Sequence, residues 1–196
     1  MTWSFMFFVN SFFLGVGLAM DAFSVSMANG LNEPEMKIPR MCKIAGTYGI
    51  FQIAMPLTGW VCVHTIVTIF SAFEKFIPWI ALILLLYIGG KMLIEGIRGK
   101  KEEEGEKGRL SGTALAIQGV ATSIDALSVG FTIADYGLLM AVTCALIVGV
   151  TTFIICMAGL KIGKAAGKKL SNKASILGGV ILIAIGIEIF VSGVFF

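Results

Sequence analysis

The stretch GLAMDAFSVSMANG, residues 17–30, sets a carboxylate, Asp21, in a run that otherwise suits only the interior of a lipid bilayer. A second stretch, SIDALSVGF at 123–131, repeats it: aligning Asp125 with Asp21 also aligns Ala126 with Ala22, Ser128 with Ser24 and Val129 with Val25. A carboxylate at the centre of a membrane helix costs about 2.5–3.5 kcal/mol on insertion scales. Two of them at matching positions therefore require a ligand or partner that offsets this cost.

The rest of the chain places these motifs in lipid. It is 57% hydrophobic and 14% charged, with a mean hydropathy of +0.93, whereas a water-soluble domain carries about 25% charged residues. Six apolar stretches can be read, at about 4–30, 44–70, 77–97, 112–134, 137–160 and 174–195. Each approaches or exceeds the roughly 20 residues that cross a hydrocarbon core as a helix. None alternates with period two, as the strands of a membrane barrel would. The expected fold class is an all-α integral membrane protein with six transmembrane helices.

The Asp motifs extend into a wider repeat. Gly49, Gln52 and Gly59 of the second span fall on Gly149, Thr152 and Gly159 of the fifth, and LILLLYIGGKMLIEG (82–96) falls on GVILIAIGIEIFVSG (179–193). Three spans per repeat is an odd number, so the second copy enters the membrane from the opposite side. This predicts two inverted three-helix repeats, residues 1–99 and 112–196, joined by a charged cytoplasmic linker at 100–111. Inverted repeats are a recurring construction of secondary transporters, with the substrate site near the midplane where the halves meet.

Basic residues set the orientation, because they concentrate in cytoplasmic loops. Lys37, Arg40 and Lys43 follow span 1. Arg98, Lys100, Lys101, Lys107 and Arg109 follow span 3, and Lys161, Lys164, Lys168, Lys169 and Lys173 follow span 5. Both termini are then expected outside the cytoplasm. The first span lacks the basic flank of a cleaved leader, so it is expected to stay. A net charge of +3 reflects this asymmetry and gives no nucleic-acid surface. No nucleotide-binding loop is present. With one histidine and no C-x-x-C pair, neither zinc nor a disulfide framework is indicated.

Helical spacing puts Gln118, Thr122, Asp125, Ser128 and Thr132 on one face of span 4, and Gly17, Ser24 and Ala28 with Asp21 on one face of span 1, with Asn29 a turn beyond. Two carboxylates with neutral oxygens suit a hard divalent cation. The candidate metal-ligating set is Asp21, Asp125, Ser24, Ser128, Thr122, Asn29 and Gln52. The competing assignments are that the hydroxyls bond only their own helix carbonyls, and that Met20 and Met27 supply thioethers to a soft metal. His64 is expected as a polar tip at the interface. Lys91 and Glu188 occupy equivalent positions in the repeats, so they are assigned support or gating roles, as an ion pair or as snorkelling side chains.

The motifs MDAFSVS, ATSIDALSVG, PLTGW, IGGKMLIEGIRG and ILGGVILIAIGIEI resemble, in that order and over nearly the whole chain, the bacterial MntP manganese exporters of the LysE-type exporter superfamily. The resemblance implies export of Mn²⁺ as substrate, with no cofactor, from a multi-pass protein of the bacterial inner membrane, with roles for Asp21 and Asp125. At the point of span 2 where another carboxylate would be sought, this chain has Gln52. The alternatives are export of another divalent cation such as Mg²⁺ or Cd²⁺, export of an amino acid, and an intramembrane aspartyl protease, whose Y-D and G-x-G-D motifs do not occur here. Oligomeric state is left open.

Overall fold

The computed structural model describes residues 4–65, 77–97, 110–170 and 174–195. Among these residues there are seven helices and no strand: α1 (Phe5–Asn32), α2 (Ile38–Thr65), α3 (Ile77–Ile97), α4 (Gly112–Ala121), α5 (Ile124–Thr132), α6 (Leu138–Leu170) and α7 (Ala174–Phe195). The linker at 98–109 and Lys75 lie outside the described residues.

Local chemistry sets several helix ends. Ser4 caps α1 by accepting from the Met6 N–H at 3.3 Å, and Ser111 caps α4 by accepting from the Ala114 N–H at 3.1 Å. Each removes one orphan donor from a helix start. Helices α3 and α7 coincide with the third and sixth apolar stretches.

The other boundaries correct the sequence expectation. Helix α2 begins at Ile38, so Arg40 and Lys43 sit on its first turns and not in a loop. Helix α6 runs 33 residues to Leu170 and carries Lys161, Lys164, Lys168 and Lys169. At a rise of about 1.5 Å per residue such a helix spans roughly 50 Å, well beyond a hydrocarbon core. Hydropathy registers the charges as loop, whereas the backbone continues as a helical overhang.

A further correction concerns span 4, expected as one helix. It is interrupted at Thr122–Ser123, between α4 and α5. The five-residue polar face is therefore divided, with Gln118 and Thr122 buried and Asp125, Ser128 and Thr132 exposed.

Glycines bring the helices together. A Cβ on Gly30 would lie 2.5 Å from the Leu160 carbonyl oxygen, one on Gly167 2.6 Å from that of Leu31, and one on Gly159 2.8 Å from that of Phe23, so α1 and α6 pack backbone to backbone. Helices α2 and α6 cross at Gly49 and Gly149, and α3 and α7 at Gly89 and Gly179. Helix α5 packs on α2 through Gly130 and Gly59. One apolar cluster, including Val25, Ile44, Leu160 and Leu182, fills one end of the bundle, and a second, including Phe7, Ile133 and Met140, fills the other.

The outer surface is apolar as well. Leu146, Val150 and Ile154 recur every four residues along α6 and are 48%, 57% and 62% exposed. In water such a stripe would be an aggregation site, and in lipid it meets its own kind. Phe5–Asn32 and Leu138–Gly167 are long and apolar enough to cross a bilayer. Helix by helix, this is the construction of a membrane protein.

Candidate functional site

Asp21 lies near the middle of α1, and Asp125 is the second residue of α5. Asp21 is half-buried and Asp125 exposed, so neither carboxylate is sealed in the core. One Asp125 carboxylate oxygen accepts from the Ala126 N–H at 2.8 Å. That contact places the negative charge at a helix start, where the partial positive charge of the helix dipole favours it.

Gln52 connects the two Asp-bearing segments. Its Nε2 donates to the Leu18 carbonyl at 3.1 Å and to the Thr122 carbonyl at 3.0 Å. Leu18 precedes Asp21 by three residues, as Thr122 precedes Asp125. One buried amide thus holds one turn of α1 against the interruption of span 4. Among the described residues its Oε1 has no hydrogen-bond partner, and neither has the buried Oγ1 of Thr152, the residue aligned with Gln52. Such an oxygen carries a penalty of about 1–3 kcal/mol unless something else meets it. Pro56, one turn after Gln52 in α2, lacks the N–H that would close on the Gln52 carbonyl.

Two hydroxyls of the candidate set bond locally. Ser24 donates to the Met20 carbonyl at 3.1 Å and Thr122 to that of Gln118 at 2.8 Å; the adjacent Ser123, outside that set, donates to that of Gly119 at 2.7 Å. Each keeps lone pairs that could still face a cation. Ser128 lies one turn after Asp125 on the exposed side of α5. Among the described residues no three His, Cys, Asp or Glu side chains gather to hold a metal. A cation beside the two aspartates would have to complete its shell with neutral oxygens and water.

Asn29 is placed elsewhere, two turns beyond Asp21 along α1. Its Nδ2 donates to Tyr48 Oη at 2.8 Å and to Gln118 Oε1 at 2.9 Å. Tyr48 donates to the same Gln118 oxygen at 2.7 Å, and Gln118 Nε2 donates back to Asn29 Oδ1 at 3.4 Å. All three side chains are buried. Met20 is exposed on α1. His64 stacks on Trp60 near the end of α2, with ring centroids 4.1 Å apart, and its Nδ1 lies 2.8 Å from the Trp60 carbonyl oxygen. The side chains of Lys91 and Glu188 lie outside the described residues.

Sequence reading missed Tyr48 and Ser123. Tyr48 stands one turn before Gln52, and that i, i+4 spacing of two polar groups on an apolar helix was the available signal. Nothing equivalent marks Ser123, which no proline or glycine adjoins.

An apolar helical bundle with an apolar outer surface is the build of a membrane protein, and a helix interrupted beside a carboxylate is a feature that recurs in transporters. Residues 35–190 match the family described as "Mntp: Putative manganese efflux pump", and the chain belongs to that family. A relative from Ruminiclostridium cellulolyticum is 39% identical over 185 residues, covering 93% of this chain and 95% of its own. One from Clostridium perfringens is 40% identical over 195 residues, covering 89% and 90%, and one from Clostridium botulinum is 39% identical over 196 residues, covering 93% and 94%. All three are named as manganese efflux pumps, which are transporters and not enzymes. No solved structure matches the chain.

Proposed function

We propose that this protein exports Mn²⁺ from the cytoplasm across the bacterial inner membrane as a secondary transporter, through a site built on Asp21 and Asp125. The observation that carries the site is the Gln52 bridge, which holds the two Asp-bearing segments together at the interruption of span 4. The relatives' names supply the metal.

The wider architecture is six membrane spans, α4 and α5 together forming the fourth, arranged as two inverted repeats of three. Reciprocal contacts support this. Gly49 meets the carbonyl of Gly149, the residue aligned with it, and Gly149 meets that of Gly49. Gly59 meets the Leu127 carbonyl as Gly159 meets that of Phe23, the residue aligned with Leu127. Contacts that recur in this way are what a two-fold axis in the membrane plane produces. The cluster of Arg40, Lys43, Lys161 and Lys164 at one end of α2 and α6 supports a cytoplasmic location for that end.

The charge of about −2 on the two carboxylates matches a divalent ion. Ser24, Thr122 and Ser128, and the unpartnered Gln52 Oε1, supply the neutral oxygens, while Lys91 and Glu188 support or gate the path. Mn²⁺ binds most weakly in its series, so omission of thiolate and imidazole ligands is the means of keeping Zn²⁺ and Cu²⁺ from dominating. Mg²⁺ sheds water reluctantly and demands near-ideal octahedral geometry, and a partly dehydrating site disfavours it.

Expression in a bacterial host lacking its own manganese exporter tests this reading. Cells grown in excess manganese should hold less of the metal when they carry this protein, with magnesium content unchanged. Equal manganese content with and without the protein refutes it.

A further inference from the structure

The buried ring of Asn29, Tyr48 and Gln118 joins α1, α2 and α4 through side chains 19, 70 and 89 residues apart. It lies two turns from each aspartate, toward the end of the bundle that carries Arg40 and Lys164. We propose that this ring is the cytoplasmic gate of the transport path, closed in this structure. The proposal rests on the orientation and the site given above.

Three observations lead to it. The ring is neutral and almost wholly satisfied within itself: both amides donate and accept, and the phenol does both. Such a group can be buried without an ion, and it can part without stranding a charge. When it parts, it presents three neutral oxygens along the path, which an apolar plug would not.

A second layer closes the same end. Arg40 pairs with Glu33 at 2.7 Å and donates through Nη2 to the Leu110 carbonyl at 3.1 Å. Lys164 Nζ donates to the Met36 carbonyl at 2.6 Å. The α1–α2 turn is thereby fastened both to the start of span 4 and to α6.

The ring also breaks the pseudo-symmetry. The residues aligned with Gln118, Asn29 and Tyr48 are Leu14, Ile133 and Val148, all apolar. Ile133 and Val148 are buried, and Leu14 packs against the clusters that contain them. A structural role common to both halves would retain the same chemistry at both ends. The polar ring occurs only at the end from which the ion must enter.

The test reads access without any metal. In a chain with its four native cysteines replaced, Ser24→Cys puts a thiol between Asp21 and Asn29. A small cationic thiol reagent is applied to everted vesicles, where the cytoplasmic face is outward, and to right-side-out vesicles. Adding Tyr48→Phe removes two hydrogen bonds from the ring and should raise the labelling rate from the cytoplasmic face about thirtyfold, the factor two bonds of ordinary strength give. The rate from the external face should not rise. Tyr48→Phe preserves ring volume, and a size-exclusion profile matching the parent shows that it folds. Unchanged labelling from both faces, or an equal rise from both, overturns the gate. A rise confined to the external face keeps the gate and overturns the orientation, and neither outcome depends on which metal is carried.

Discussion

At the scale of single residues, Gln52 is the side chain on which the site's geometry turns. Leucine is of similar size but donates nothing, so Gln52→Leu removes the hydrogen bonds to the Leu18 and Thr122 carbonyls. Each is worth about 0.5–1.5 kcal/mol net, partly offset because the unpartnered Oε1 goes too. The expected result is a lower melting temperature in detergent together with slower manganese transport. A melting temperature and transport rate equal to the parent's would remove Gln52 from the site. The two aspartates stand out in the sequence because a carboxylate in an apolar run is conspicuous by its cost, and their role in the site remains the proposal made above. The partners of Asn29 were not. A hydrogen bond between spans 70 or 89 residues apart leaves no periodicity in the chain, so Asn29 reads as a ligand near Asp21 until Tyr48 and Gln118 are seen to engage it.

At the scale of helices, hydropathy locates those that end where the lipid ends, as α3 and α7 do, and misplaces those with charged overhangs, as α2 and α6. The interruption at Thr122–Ser123 leaves no mark in the hydropathy of an apolar run; the Thr122 carbonyl there is met by Gln52 from another helix. Close approach between helices sets a sharper limit. Gly30 has no room for a methyl group against the Leu160 carbonyl and the backbone of Gly163 and Lys164. Gly30→Ala must therefore push α1 from α6, at the 1–3 kcal/mol typical of overpacking. Gly17, on the same helix, has nothing within 4 Å of such a group, so Gly17→Ala should be neutral or slightly stabilising. Thermal unfolding of both variants checks the pair, and equal midpoints would contradict the α1–α6 packing.

For the whole molecule, the proposal of two related halves is supported by contacts between aligned residues. Aligned residues meet across the bundle at Gly49 with Gly149, and a single amide spans the aligned carbonyls of Leu18 and Thr122. What the halves do not share is the polar ring on one side and the apolar cluster on the other, and the proposed gate rests on that difference. The central claim is that manganese crosses by way of the two carboxylates. Its most direct test is Mn²⁺ uptake into energised everted vesicles carrying the parent, Asp21→Asn or Asp125→Asn at equal membrane abundance. Asparagine keeps the size and one oxygen but removes the charge, leaving a divalent ion partly uncompensated at low dielectric. The account predicts uptake by the parent and background uptake by each variant, and parental uptake by either variant would contradict it.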